Sequence, residues 1–428
     1  MNHHEVVITG LGFVTSIGHS RAAVSRSLRE LQTGLAPWEA IAGDSVGNGA
    51  GGAAKVAGRL SGFDVGSTNP AAWSWPSEFQ IDPNAVRALP PQGVYALAAV
   101  QQALAEARLT TAELGHGGTG LYCASAGSPR MLHYHLGKLE ASGWQRAHPH
   151  GVLSSVAGAL NFHLGALLGI RGASCGFVSA CASGSHALGF AGDEIRLGRQ
   201  PRMLVVAAEE LTAENVLPFG GMGALSRATE PRLASRPFDQ GRDGFVPTGG
   251  AVALVLESAA GVAQRGARGL ARLIGWGQAC DGYHMAKPHP DDRGLADAIQ
   301  LALRDAEISP AAIGYVNAHA TSTPEGDRAE ARALLHVFGG HPVPVSSTKA
   351  LTGHGLSLAG AMEAAFCVLA LDEGFIPGQA HLVEPDAECA QLMLPRETRL
   401  IQPHMVLNNS CGFGGQNVAH VLSTTTTP

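Results

Sequence analysis

Apolar residues along the chain fall into two kinds of run. Short and nearly continuous ones, EVVIT (5–9), GLYCA (120–124), MLVVA (203–207), AVALVLE (251–257), IGYVNA (313–318) and NVAHVLS (417–423), have the length and composition of buried strands. Between them apolar residues recur at helical spacing, which predicts helices over 93–108, 154–168, 182–197, 293–306, 326–338 and 356–371. In the third of these, Leu188, Ala191 and Ile195 share a face and Gly198 is placed to end the helix. The alternation predicts an α/β fold whose helices cover mostly buried strands.

One comparison within the chain extends this. ALAEARLTTAEL (103–114) and ALRDAEISPAAI (302–313) share Ala and Leu positions, keep acid, aliphatic and hydroxyl residues in type, and are each followed by a strand-like run. The expectation is a duplicated chain, with halves 1–257 and 258–428. GDSVGNGAGGAA (43–54) is aperiodic and reads as a surface excursion.

Composition narrows the possible partners. The 428 residues are 45% hydrophobic and 15% charged, with a formal charge of −6, as expected for a compact, weakly acidic protein with two domains or one large duplicated one. Lys and Arg total 29 against 35 acidic residues and form no basic run, so no nucleic acid partner is expected. The most apolar window, 152–170, is interrupted by Asn161 and His163, predicting a buried helix and no membrane span. No basic segment followed by an apolar stretch opens the chain, and a cytoplasmic location is expected. Seven cysteines (123, 175, 181, 280, 367, 389, 411) are scattered and never in CxxC pairs, a spacing that supports neither a disulfide framework nor a zinc site.

Four stretches carry candidate chemistry. In VSACASGSHALG (178–189), Cys181 follows a strand-like run and opens a helix, where free amides and the helix dipole favour a thiolate able to attack a carbonyl. Its small neighbours are expected to leave room for a substrate chain. In NAHATSTPEGD (317–327), His319 sits at the end of a strand, where reactive groups are displayed. In SSTKALTGHGLSLAGAMEA (346–364), Lys349 and His354 lie in a glycine-flanked loop before an apolar helix carrying Glu363. Burying that lysine and glutamate is expensive unless they meet each other or the site. NNSCGFGGQN (408–417) lacks the GK[ST] of a phosphate loop, and TGLGFV (9–14) lacks a full GxGxxG, so nucleotide binding is not expected. A glycine-rich turn can instead aim an amide at a substrate oxygen. One Cys, two His and a donor loop suit acyl transfer to sulfur followed by carbon–carbon bond formation, the histidines stabilising an enolate in place of a metal or cofactor.

At these four places, and at VITGLGFVTSIG (7–18), SAGSPR (125–130), MGALS (222–226) and SRPFDQGRDGFV (235–246), the sequence resembles the β-ketoacyl-[acyl-carrier-protein] synthases, condensing enzymes with a thiolase-like, duplicated α/β/α/β/α layered fold. Within that family the glycine pair of DGFVPTGGAVALVLE is most like synthase I. The resemblance implies that Cys181 is the acylated nucleophile and that His319 and His354 promote decarboxylation of a malonyl-carrier protein. It implies an oxyanion hole from the amides of Cys181 and Phe413, with Phe413 gating the acyl pocket, and a Lys349–Glu363 pair that orders the site. It further implies substrate contacts from Cys411, Gly412, Thr321, Thr323 and Met222. Asn317, Glu363, Asn408 and Asn409 match positions where some relatives hold a monovalent cation; no cofactor is implied. Implied partners are an acyl carrier protein, for which Arg130, Lys138, Arg227 and Arg232 are basic candidates in loops, and a second subunit, identical or a related ketosynthase-like chain. Two positions depart from the pattern: Cys411 where the family has Phe, and Ala320 where Gly is common. The first should enlarge or reshape the pocket. Two alternatives remain at this point. A non-catalytic chain-length partner usually lacks the cysteine, and a thiolase pairs one histidine with a second cysteine.

Overall fold

The computed structural model describes residues 4–38, 54–115 and 117–425; the 43–54 excursion, apart from Ala54, lies outside them. Strands run, in chain order, Val6–Val14 (β1), Leu35–Pro37 (β2), Val56–Gly58 (β3), Thr119–Ala124 (β4), Ser174–Phe177 (β5), Arg202–Glu209 (β6), Gly250–Ser258 (β7), Ala271–Cys280 (β8), Tyr315–Asn317 (β9), Val345–Ser346 (β10), Met405–Gly412 (β11) and Gln416–Ser423 (β12). Each of the six apolar runs contains one of them. β1 and β7 are buried at every position, which is why they read as continuous apolar runs and do not alternate. The six helical segments appear as Gln92–Ala107, Ala159–Leu167, Ser183–Arg196, Arg293–Asp305, Pro324–Phe338 and Ala359–Glu373. The second begins later than its periodicity predicts, because residues 154–158 form turns.

β2 and β3 make a separate ribbon. The other strands form one sheet in the order β10-β9-β11-β12-β8-β1-β7-β6-β4-β5. Outward from the centre, the first five strands in sequence of this sheet follow the order first, fifth, fourth, second, third, and the last five follow the same order. Their senses match too. β1–β7–β6 and β8–β12–β11 are antiparallel, β6–β4–β5 and β11–β9–β10 parallel, and an antiparallel β1–β8 pairing joins the two sets.

Three apolar layers follow. Ser183–Arg196 and Ala359–Glu373 contribute to a core holding Ile8, Phe13, Val205 and Leu254 from one set of strands and Tyr315, Val406 and Leu422 from the other. Gln92–Ala107 covers the opposite face of the first set, and Arg293–Asp305 with Pro324–Phe338 that of the second. This is the expected helix–sheet–helix–sheet–helix layering. The Ala359–Glu373 helix is buried from Ala359 to Leu371, and a helix apolar on every side belongs in such a central layer.

The small residues after Cys181 have a use here that differs from the expected one. A Cβ on Gly184 would lie 2.8 Å from the Ala361 amide nitrogen, and one on Gly360 would meet the Ser185 hydroxyl. These side chains are small because the two central helices cross almost in backbone contact, and Ala182, Ser183 and Ser185 are buried in that crossing. Room for a substrate is left on the other side of the cysteine.

Candidate active site

Cys181 sits on the tight connection from β5 to the Ser183–Arg196 helix. Ala180 before it takes φ 50°, a left-handed conformation that an L side chain adopts at a cost, and the turn lifts residue 181 out of the strand line. His354 reaches it from another loop, fixed by backbone bonds to neighbours of β7. The His354 amide donates to the Val246 carbonyl at 2.7 Å, and the His354 carbonyl accepts from Thr248 at 3.1 Å. From there His354 Nε2 stands 3.0 Å from Cys181 Sγ.

His319 follows β9, and its loop is held by a residue that sequence reasoning missed. Glu330, buried on the Pro324–Phe338 helix, accepts the His319 amide on one oxygen at 2.7 Å and the Ala320 amide on the other at 2.6 Å. The His319 and His354 rings meet edge to face, centroids 5.3 Å apart. Phe245, also missed, packs edge-on against the far side of His354 at 5.4 Å.

Behind the histidines Lys349 and Glu363 form a fully buried ion pair, so the lysine and glutamate do meet each other. The Lys349 ammonium also lies 3.4 Å from His319 Nδ1. An ammonium has no lone pair, so Nδ1 must accept and the ring proton of neutral His319 sits on Nε2. Both imidazoles are held well below their usual pKa, first by burial and then by the Lys349 charge; for His319 the neighbouring His354 adds to this. They are neutral N–H donors at physiological pH.

The glycine-rich segment closes the site. A Cβ on Gly412 would lie 3.2 Å from the Cys181 nitrogen, so β11 runs directly against the cysteine turn. The amides of Phe413 and of Cys181 itself point at Sγ and favour its thiolate, as does Lys349, but burial outweighs all three and pushes the thiol up to about 12. The helix start and the burial of Sγ therefore act in opposite directions. Desolvation of the anion exceeds what amides and one lysine return.

A cavity of about 510 Å³ opens on Sγ. It is lined by His319, His354, Thr321, Thr323, Met222, Cys411, Gly412 and Phe413 among others, which brings the proposed substrate contacts together with the reacting groups. Lys349 and Glu363 lie behind this wall. The Phe413 ring faces Phe219, centroids 5.9 Å apart, at the cavity edge.

One expectation is not met. Arg130 is buried in the Pro129–Ser142 helix, where it donates to the Val65 carbonyl and pairs with Glu210, so it is no surface cation. Lys138 and Arg232 are exposed but helical, and Arg227 is exposed in a loop, while Lys287, overlooked in the sequence, stands at the cavity. Of the four suggested cation ligands, Asn317 and Asn408 are paired neighbours on adjacent strands. Asn408 Nδ2 donates to the Gly360 carbonyl on the helix that carries Glu363. Oδ1 of both asparagines, Glu363 Oε2 and Asn409 Oδ1 are all buried without a hydrogen-bond partner, as oxygens that hold a cation would be. The Asn409 side chain points to the opposite face, as strand alternation requires, and its Nδ2 donates to Glu330 at 2.6 Å.

Comparison with known proteins agrees with this geometry. The profile of the β-ketoacyl synthase N-terminal domain matches residues 3–261, and that of the β-ketoacyl synthase C-terminal domain matches 270–383. The chain is 33% identical to 3-oxoacyl-[acyl-carrier-protein] synthase 2 of Synechocystis, over 96% of each protein. It is equally, 33%, identical to the Escherichia coli K12 enzyme named synthase 1, over 97% of this chain and 98% of the other. The ishigamide ketosynthase/chain length factor superposes with a TM-score of 0.87 at 29% identity, covering 99% of this chain and all of that one.

Proposed function

The chain belongs to the β-ketoacyl synthase family, and from that premise we propose that it joins an acyl group held on Cys181 to a malonyl unit delivered on an acyl carrier protein. The observation that carries this reading is the 3.0 Å approach of His354 Nε2 to Cys181 Sγ, with the His319 ring edge to face against it, in the wall of one cavity. The relatives named above are 3-oxoacyl-[acyl-carrier-protein] synthases, and the ishigamide protein is a ketosynthase with a chain length factor. Chain elongation in fatty acid or polyketide synthesis fits both.

The steps follow from the geometry. Cys181 Sγ attacks the acyl thioester while His354 Nε2 takes its proton and hands it to the departing carrier thiol, which leaves His354 neutral again. The amides of Cys181 and Phe413 hold the oxyanion. The Nε2–H of His319, and that of His354 once its ring proton has moved from the unpartnered Nδ1 to Nε2, then bind the thioester oxygen of the malonyl substrate. As its C–CO2 bond breaks, they stabilise the enolate, which attacks the acyl carbonyl and expels Sγ as a thiolate that recovers its proton from solvent. Phe413, at the cavity edge, admits or refuses the acyl chain. Lys349, anchored by Glu363, keeps the proton of His319 on the nitrogen that faces substrate. Asn317, Glu363 and Asn408 would hold a monovalent cation, whose charge offsets the unpartnered carboxylate oxygen.

The assembly follows the same reading. β5 is an open sheet edge, and near it Leu153, Phe162 and Val178 are exposed, which supports pairing with a second copy or a related ketosynthase-like subunit. Arg227 and Lys287 suit an acidic carrier protein. We divide the chain into halves near Glu257, by the repeated strand order. No helix among the described residues is long and apolar enough to cross a membrane, and we place the protein in the cytoplasm.

The test is incubation with malonyl-carrier protein and acyl-carrier proteins of graded length, followed by mass measurement of protein and product. An adduct on Cys181 and a product two carbons longer are expected. Acylation without elongation would overturn the histidine assignment, and absence of both would favour a non-catalytic partner subunit.

A further inference from the structure

The spacing of the cysteines argued against a zinc site, but three ligands far apart in sequence meet in space. Cys181 Sγ and one ring nitrogen each of His319 and His354 lie within 4.8 Å of one another. In a tetrahedral zinc site, with Zn–S of about 2.3 Å and Zn–N of about 2.0–2.1 Å, such atoms are roughly 3.5 Å apart. Side-chain rotations of about 1 Å would close the set. His354 Nε2 already stands 3.0 Å from Sγ, and the cavity leaves a fourth position open to a small ligand.

We propose that Cys181, His319 and His354 form a reversible inhibitory site for a borderline-soft divalent cation, Zn²⁺ foremost, which competes with acyl substrate for the sulfur. One thiolate and two imidazoles are a donor set that selects zinc over magnesium or calcium. The nearby lysine does not forbid it. Loading releases the Sγ proton and the Nε2 proton of His319, whose Nδ1 takes a proton from Lys349 beside it, and the lysine amine stays against Glu363. Two protons leave and two positive charges arrive, so the buried site does not change its net charge. Ground-state preorganisation has the same origin as the inhibition. The sulfur and two imidazole nitrogens that converge on an acyl group are also a converging ligand set for a metal, whose charge offsets the cost of removing the thiol proton.

Coordination rests on geometry alone; inhibition also rests on the condensing reaction proposed above. The experiment therefore reads the two separately. Titration of the purified, reduced protein with Co²⁺ should give one thiolate-to-cobalt charge-transfer band per chain and the visible spectrum of a tetrahedral ion. Prior alkylation of Cys181 should abolish the band. His354→Ala, checked by circular dichroism for a native fold, should weaken cobalt binding by more than the ~10–100-fold that loss of an outer-shell partner costs. Zn²⁺ should slow iodoacetamide labelling of Cys181 at least tenfold, reversed by a chelator. Absence of the thiolate band at saturating cobalt, or its persistence in alkylated protein, overturns the site. Cobalt binding with the band, in a protein that condenses nothing even without metal, supports the site and refutes the reaction.

Discussion

A nucleophile whose thiol is pushed up to about 12 makes a sharp kinetic prediction. At pH 8 a thiol with the ordinary value of 9.0 is about one-tenth ionised, and one at about 12 is ionised in about one part in ten thousand. Simple alkylation, which needs the thiolate, should therefore be about 1,000-fold slower at Cys181 than at an unperturbed thiol. Its rate should climb tenfold per pH unit from pH 6 to pH 10 with no plateau. Iodoacetamide labelling followed peptide by peptide in a mass spectrometer measures this, with the exposed Cys175 and Cys280 setting the rate for accessible thiols in the same sample. Lys349 is the strongest of the groups that favour the thiolate. Lys349→Met should slow labelling by a further tenfold or so, the effect expected of one charge a few ångströms away. Acylation by an acyl thioester should not show this penalty, because His354 removes the proton as the bond forms. A labelling rate that is flat between pH 6 and 8, or equal to that of Cys175, would show a thiolate–imidazolium pair at rest and refute the reasoning.

Breaking the buried Lys349–Glu363 pair by Lys349→Ala or Glu363→Ala should destabilise the fold by ~3–5 kcal/mol. Lys349→Met with Glu363→Leu should recover most of that loss, and strict additivity in urea titrations would contradict the pairing. Gly412→Ala would set a methyl 2.7 Å from the Ser179 carbonyl and 3.2 Å from the Cys181 nitrogen. It should abolish acylation of Cys181 while circular dichroism stays native. Cys411→Phe restores a ring in the cavity wall and should shift acyl preference toward shorter chains in a competition assay, at a cost of ~1–3 kcal/mol if the ring overpacks. Glu209, buried under Ser357 and the Ala126 amide, is pushed up by burial to about 8 from 4.5. A folded-state value raised in this way stabilises the fold fully below pH 4.5, and that contribution is lost as pH rises through 8. Its slope reaches at most ~1.4 kcal/mol per pH unit. Glu209→Gln should keep stability at pH 5 and flatten the decline, as followed by urea midpoints across pH 5–9.

The strands legible in the sequence were those buried on both faces. β8 escaped notice because only alternate residues in its first half are buried, and its stretch ARLIGWGQAC mixes Arg, Gly and Gln into the run. β10 is too short for any period to show, and β5 showed only as a strand-like run before Cys181. Among the site residues, Cys181, His319, His354 and Lys349 stood out because polar groups in glycine-flanked, otherwise apolar stretches have little else to do. Glu330 did not. It shares the start of its helix with Glu325, Asp327 and Arg328, and nothing in one sequence separates the acid that binds two loop amides from its neighbours.

The ionisation of Cys181 shows why local sequence could not settle the chemistry. The helix start, the two amides and the nearby lysine can all be guessed from residues close in sequence or motif, and all favour the anion. The opposing cost comes from protein packed around the sulfur by Phe245, the two histidines and the β11 segment, which belong to separate parts of the chain. Their sum decides the sign. A thiol kept neutral until an imidazole 3.0 Å away takes its proton does not spend its reactivity on water-borne electrophiles. The same amides that fail to ionise the sulfur at rest are placed for the carbonyl oxygen, where negative charge first develops in attack. In the reaction proposed above, the amides of Cys181 and Phe413 act mainly in the transition state. Their removal should therefore slow acylation more than it slows alkylation.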